Sequence, residues 1–448
     1  MHSGRSRKPD FRCSHPTRVR LVAEGSDTIR SPKQGAHKRG PWYPYYAGYT
    51  PGFATDALRV MTAGSSGTVL DPWNGSGTST TVALSAGHDA VGFDANPALI
   101  LIARARNVAA STQSLGPLSI EVLEAVARLR PTIRVDDSEP LLTWFKRPAA
   151  EELCALREAI NLVFVGERQS ALELKNISGL AAFYYTAAFE AVRRLLNAFR
   201  ASNPTWVRRP ATGRHRLNPG PEAVQREFLD AVERMVGRLV RQTIPDAGQR
   251  PWAEASIEIG DSRSLPLGND QVDTVLSSPP YCTRIDYVVS ARPELAFMGL
   301  SEGAVKDLRS NCVGGPVVSR TIHSRVEDVA SADVADLLSR IEAHDSKAAK
   351  TYYLKYYTNY FADLALSCEE LHRVTKPSGK IGLVVQDSYF KDIHIDLQSL
   401  LTSVMSGAGR SLERRVDFTV GSTRTTLNPS ARVYKKGDGP VESLMVYS

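Results

Sequence analysis

One stretch restricts the fold more than any other. GTVLDPWNGSGTSTTVALSAGHDAVGFDANP, residues 67–97, runs from a short apolar segment through a glycine turn and a helix-like pattern to a second apolar segment. Two strands joined by a single helix in so few residues pair in parallel, with a right-handed crossover. A unit of this kind opens a doubly wound α/β sheet. Strand patterns return in ASIEIGD, VDTVLSSPPY, KPSGKIGLVVQDSYF, RRVDFTVG and VESLMVY. Each of the first two ends in a turn, as the first strand does.

Between residue 107 and residue 255 the pattern changes. GPLSIEVLEAVARL, AAEELCALREAINLVF, ALELKNISGLAAFYYTAAFEAVRRLLNAF and PEAVQREFLDAVERMVGRLV all carry apolar residues at helical spacing. The expected organisation has three parts: a basic, poorly ordered segment at 1–40, a catalytic α/β domain from 41–106 and 256–448, and a helical insertion at 107–255. The chain of 448 residues is long enough for two to three units of domain size. With 42% hydrophobic and 23% charged residues it is globular in composition.

No apolar run reaches the ~18 residues of a membrane span, and the N-terminus lacks the apolar core of a secretory signal. The five cysteines form no CxxC pair, which fits a reducing cytoplasm and argues against a metal site. The net charge of +7 is compatible with a polyanionic partner but selects none. Part of it lies in NPTWVRRPATGRHRLNPGP, within the insertion. Trp206, Arg208, Arg209, Arg214, His215 and Arg216 there are either a solvated connection or a nucleic-acid contact.

The strand ends carry the chemistry. Gly75 and Gly77 in DPWNGSGTS let backbone approach a ligand closely, and the helix that follows offers unpaired N–H groups. The loop is not a P-loop, since no Gly-Lys-Ser/Thr follows, and Thr80 occupies the third glycine position of a dinucleotide fingerprint. Asp94 ends the second strand, where an acid takes a ribose hydroxyl pair, and Asp261 ends the third. Either alone could be a turn cap. Three such features at successive strand ends point to an adenosine-containing cofactor. In SSPPY, Pro279 and Pro280 fix two φ angles and remove two donors. That leaves carbonyls free for an exocyclic amine, and Tyr281 offers a stacking face.

DPWNGSGT together with SSPPY resembles the S-adenosylmethionine-dependent amino-methyltransferases of DNA, which modify cytosine N4 or adenine N6. The resemblance covers most of 41–106 and 256–448 and implies a Rossmann-like methyltransferase sheet. It implies S-adenosylmethionine as cofactor, held by Asp71, Pro72, Trp73, Gly75, Gly77, Thr78 and Asp94, with Asp261 near the adenine. Tyr46 or Tyr49, in the aromatic segment upstream, would border the methionine end. Ser278, Pro279, Pro280 and Tyr281 would form the catalytic turn, with Arg284, Asp286 and Tyr287 shaping the pocket. Double-stranded DNA would be the partner, touched by Trp206, Arg208, Arg209, Arg214, Arg216 and Arg284, and a restriction or defence system would accompany it.

Three departures stand out. Trp73 replaces the usual Phe, the cofactor loop precedes the catalytic turn, and the insertion lies between the second and third strands. The leading expectation is a site-specific DNA methyltransferase, with serine at the head of the turn favouring cytosine N4 over adenine N6. An RNA base amino-methyltransferase and a non-catalytic nucleic-acid-binding module are the alternatives.

Overall fold

A computed structural model of the chain describes residues 28–33, 42–44, 48–108, 111–166, 174–201, 206–242, 255–317, 331–419 and 440–448. Helix α1 (Pro51–Thr62) starts where Thr50 accepts a hydrogen bond from the Phe53 amide, and it stops at Ala63, whose left-handed backbone ends the turn. Strand β1 (Thr68–Asp71), helix α2 (Thr78–Ser85) and strand β2 (Asp89–Asp94) form the expected βαβ unit. Asn96 caps helix α3 (Pro97–Arg106) through Ala98 N.

Helices α4 (Thr112–Leu129), α5 (Arg147–Phe164), α6 (Gly179–Leu195) and α7 (Pro221–Gln242) make up the β2–β3 crossover. Strands β3 (Ala255–Ile259) and β4 (Val272–Ser277) follow. After the Ser-Pro-Pro-Tyr turn come α8 (Tyr287–Ser290), α9 (Arg292–Phe297), α10 (Glu302–Asn311), α11 (Ala332–Ala343) and α12 (Leu354–Val374). Strand β5 (Thr375–Gln386), the hairpin β6 (Ser388–Phe390) and β7 (Ile393–Ile395), α13 (Leu397–Gly407), β8 (Leu412–Thr419) and β9 (Val441–Tyr447) complete the chain.

The main sheet has seven strands in the order β3-β2-β1-β4-β5-β9-β8. Strands β1 to β5 are parallel, and β9 runs antiparallel to both of its neighbours. Successive residues of β1 serve opposite faces. Val69 joins Phe53, Leu58 and Leu444, and Leu70 joins Val275, Leu383, Tyr360 and Leu401. Helices therefore cover both faces, as in a doubly wound, Rossmann-like methyltransferase fold. Strand order reverses between β1 and β4, and in open α/β sheets ligands bind beside such a switch point, at the carboxyl ends of the strands.

The insertion does not hold its core to itself. Leu115, Leu153, Phe183, Phe189 and Phe228 pack into one cluster with Trp42 and Tyr43, Leu99 and Leu101 of α3, and Val288, Leu295 and Phe297 beyond the turn. Glu294 of α9 is buried, and Arg193 of α6 binds its Oε2 at 3.0 Å. The phenol of Tyr43 also donates to Glu294.

The expectation of a poorly ordered segment over 1–40 is corrected at 28–33. Ile29 packs into the core beside Phe53, and Arg30 grips Asp56 through Nε at 2.6 Å and Nη2 at 2.9 Å. Polar composition averaged over forty residues conceals one apolar anchor and one bidentate pair. The rest of that segment lies outside the described residues.

Candidate active site

Leu70 faces Val275 across β1 and β4, so the two strands reach the carboxyl edge level with one another. Asp71 ends one and Ser277 the other. The Ser277 hydroxyl donates to Asp71 Oδ1 at 2.5 Å, the Ser79 hydroxyl donates to Oδ2, and the Trp73 amide donates to Oδ1 at 3.1 Å. The Tyr49 hydroxyl sits 2.6 Å from Ser79 Oγ and 3.2 Å from the Leu276 carbonyl. Asp71 is only 4% exposed, and burial pushes its carboxyl up to about 6 against the pull of the three donors. Tyr49 is buried and braces this network.

Pro72 and Trp73 lead into the glycine loop. Gly75 and Gly77 have φ of 51° and 77°, in the left-handed region that glycine enters without strain. A β-carbon on Gly77 would come within 2.9 Å of the Ala103 side chain on α3. Asp94 Oδ2 accepts from the Gly75 amide at 2.9 Å and Oδ1 from the Asn96 amide at 2.8 Å. Each oxygen keeps a lone pair for a further donor. Burial lifts the Asp94 carboxyl to about 6, opposed by the two amides and helped by Asp71.

Thr78 Oγ1, at the start of α2, accepts from Arg106 Nη1 at 2.9 Å. Arg106 is 6% exposed, and burial lowers its guanidinium to about 10. Around this loop Trp73 Nε1, Asn74 Nδ2, Asn96 Nδ2 and Arg106 Nε are buried donors without a partner among the described residues. Buried donors are normally satisfied, so such a cluster suits a ligand that brings acceptors. At the end of β3, Asp261 is taken up by Arg263, with Nη2–Oδ2 at 2.7 Å, and Arg263 also binds Asp363 at 2.8 Å. Burial opposes ionisation of Asp261, yet Arg263 holds the carboxyl below the usual range.

The Ser-Pro-Pro-Tyr turn is clamped residue by residue. The Ser278 hydroxyl donates to the Val384 carbonyl of β5 at 3.1 Å. Tyr360 of α12 donates to the Pro280 carbonyl at 2.9 Å, and Ser388 donates to the Cys282 carbonyl at 3.2 Å. Tyr281 donates its phenol to Glu442 Oε1 at 2.9 Å. Burial and the Glu442 carboxylate push that phenol well above its ordinary range, so it stays neutral. Cys282 is buried and its thiol is pushed up by burial, which suits packing and not attack.

Arg284 adopts a left-handed φ of 57°, and its guanidinium lies 4.7 Å from the centroid of the Tyr353 ring while bonding the Tyr353 hydroxyl at 3.0 Å. Asp286 caps α8 through Val289 N and binds Arg309 of α10 at 2.6 Å.

The basic loop is held by its backbone. Trp144 Nε1 donates to the Arg208 carbonyl at 2.9 Å, the Arg208 amide donates to the Phe199 carbonyl at 2.8 Å, and Leu217 forms an isolated β-bridge with Phe145. Arg208, Arg209, Arg214 and Arg216 are exposed, and Trp206 is 36% exposed. Arg209 pairs with Glu302 at the head of α10. That helix reaches back through Arg309 to Asp286, so one helix joins the loop to the segment after the Ser-Pro-Pro-Tyr turn. An open depression of about 310 Å³ beside Arg209 and Arg216 lies in the loop.

The structure thus brings Asp71, Gly75, Gly77, Thr78, Asp94 and the Ser278–Tyr281 turn to one sheet edge. Tyr46 lies outside the described residues. Sequence reasoning missed Ser79, Ser277, Arg106, Tyr360 and Glu442. Glu442 left a trace, as a lone charge in the apolar strand VESLMVY. Among the described residues no cluster of three or more His, Cys, Asp or Glu could hold a metal, and no helix is long and apolar enough to cross a membrane.

The chain is similar to the Type II methyltransferase M.BsoBI of Geobacillus stearothermophilus, at 22% identity over 414 residues, which cover 82% of this chain and 78% of that protein. It is also similar to the Type II methyltransferase M.AvaI of Nostoc sp. and of Anabaena variabilis. Each is 26% identical over 161 residues, a match that covers 34% of this chain and 33% of the relative. No protein-family model matches the chain.

Proposed function

We propose that this protein is an S-adenosylmethionine-dependent, site-specific DNA methyltransferase acting on the exocyclic amine of a flipped base, with cytosine N4 preferred over adenine N6. The observation that carries the reading is the Asp71–Ser277 hydrogen bond, which ties the glycine loop and the catalytic turn to one buried carboxylate. Similarity to proteins named as Type II methyltransferases supports methyl transfer to DNA as the coarse activity.

When bound, S-adenosylmethionine supplies an electrophilic methyl group. Asp94 would accept the ribose hydroxyls on its remaining lone pairs, and Asp71 would keep the loop in shape. An aromatic amine is a poor nucleophile because its lone pair is delocalised into the ring. Ser278 has already committed its own proton to Val384, so its oxygen is left as an acceptor for one amine N–H. The Pro279 carbonyl would accept the other. Both bonds draw the nitrogen toward tetrahedral geometry and free its lone pair, and Tyr281 holds the ring by stacking. No covalent enzyme intermediate is needed, so positioning carries the rate. Extrusion of the base from a duplex costs about a few kcal/mol, repaid in part on Tyr281. The exposed arginines of the insertion would meet phosphates.

The test is transfer of tritium from labelled S-adenosylmethionine into duplex DNA, followed by mass spectrometry of the nucleosides. N4-methylcytosine is the expected product. N6-methyladenine would move the assignment to the other base, and label found only in RNA would overturn it.

A further inference from the structure

The catalytic turn is held by a residue from the far end of the chain. Strand β9 runs antiparallel to β5, with Glu442 opposite Gln386, the last residue of β5. The start of β9 therefore stands at the same sheet edge as the carboxyl ends of the parallel strands. Glu442 is 1% exposed, and its Oε1 takes the phenol proton of Tyr281 at 2.9 Å. Ser278 lies beside the same hydroxyl. On the other side, Lys33 Nζ is 3.8 Å from Glu442 Oε1 and donates to the Gly48 carbonyl at 2.5 Å. Lys33 belongs to the segment that Ile29 and Arg30 anchor on α1. The N-terminal segment and the Tyr281 phenol thus converge on Glu442 of the last strand.

A carboxylate is costly to bury, by several kcal/mol, unless charge and hydrogen bonds compensate it. Here a half-exposed lysine supplies the charge and a neutral phenol the hydrogen bond. A tyrosine ring packed by its faces alone can still swing about its side-chain torsions. Anchoring the hydroxyl at the ring's far end removes that freedom.

We infer that Glu442 is a positioning residue for methyl transfer: it fixes the plane of Tyr281 against the target base, and Lys33 balances its charge. The inference rests on the reading of Tyr281 as the stacking ring. It goes beyond that reading in assigning a role to two residues outside both sequence motifs.

Three variants test it. Tyr281→Phe keeps the ring and loses the anchor, Glu442→Ala loses the acceptor, and Glu442→Gln keeps an acceptor without the charge. Tyr281→Phe and Glu442→Ala should each lower kcat about tenfold, the worth of one hydrogen bond to a charged group, with KM for S-adenosylmethionine unchanged. The double variant should be no worse than either single one, and Glu442→Gln should recover most of the rate. Additive losses, or full turnover per folded molecule in Glu442→Ala, would overturn the assignment.

A fluorine label makes the test independent of the proposed activity. With 3-fluorotyrosine at position 281 and no nucleic acid present, the resonance should shift and broaden in Glu442→Ala and hold in Glu442→Gln. An unchanged resonance in Glu442→Ala refutes the positioning role even if DNA is methylated. A shifted resonance supports it even if the wild-type protein methylates no DNA and the functional reading itself falls.

Discussion

The sheet edge and the basic loop of the insertion both carry the charges expected of a DNA-modifying enzyme, but they hold them in opposite ways. At the edge, Asp71, Asp94 and Glu442 are largely withdrawn from water and satisfied by named donors. Their interactions are little screened, and small displacements change chemistry. In the loop the backbone is fixed by Trp144, Phe199 and Phe145, while the guanidinium groups are left in solvent. Among the described residues Arg209–Glu302 is the exception, and both partners there are about half exposed or more. Such pairs contribute about 0–1 kcal/mol and yield readily to a phosphate. The edge is built for geometry and the loop for availability.

If that contrast holds, the largest effect should come from the edge. Tyr281→Ala should lower turnover on the order of a thousandfold, as stacking and positioning are lost together, while calorimetry still finds cofactor binding. Unchanged turnover would remove Tyr281 from the site. Next comes the joint between the two regions. Glu294→Ala leaves Arg193 buried without its carboxylate and should cost about 3–5 kcal/mol in denaturant unfolding. A loss below about 1 kcal/mol would mean that the Arg193–Glu294 pair adds little to the joint between the insertion and α9.

The loop should behave differently. Arg208, Arg209, Arg214 and Arg216 changed together to Ala should weaken DNA binding about a hundredfold at moderate salt and flatten the salt slope by about 3 to 4. Melting temperature and kcat at saturating DNA should be unmoved. An unaltered slope would return the loop to a solvated connection.

The smallest effect separates the two acids. On the proposed function, ionised Asp94 is the form that would accept ribose hydroxyls, and burial lifts its carboxyl to about 6. Affinity for S-adenosylmethionine should therefore rise about tenfold from pH 5 to pH 7 and level off above, and Asp94→Asn should abolish the rise. The folded values of Asp71 and Asp94 exceed the ordinary 3.8. Their contribution to stability is fully present below that value and is lost as pH rises through about 6. Thermal melts of the unliganded protein should show this loss, and they should show less of it in Asp94→Asn.

Much of the fold was legible because strand ends are punctuated locally. Gly75 and Gly77 announce a left-handed turn, Pro279 and Pro280 a fixed one, and the apolar runs before them are too short for helices. The four insertion helices follow from apolar spacing alone. Partners across the fold were not legible. Ser277 read as the end of the fourth strand at the sheet's carboxyl edge, but not as a partner of Asp71, because their bond spans 206 positions. Ile29 and Arg30 were lost in a polar segment, since their anchors lie on α1. Asp261 read as an adenine contact or a turn cap, and the structure pairs it locally with Arg263, which also reaches Asp363 a hundred positions on.

Sequence alone determined the parallel βαβ opening, the two turns and the helical character of the insertion, because each depends on backbone preferences within a few residues. The tertiary structure decided which groups meet. Pairing order set Asp71 beside Ser277, the antiparallel direction of β9 delivered Glu442 to Tyr281, and a shared core seated the insertion against α9. Those contacts join residues far apart in the chain, and their geometry exists only once the strands have chosen their neighbours.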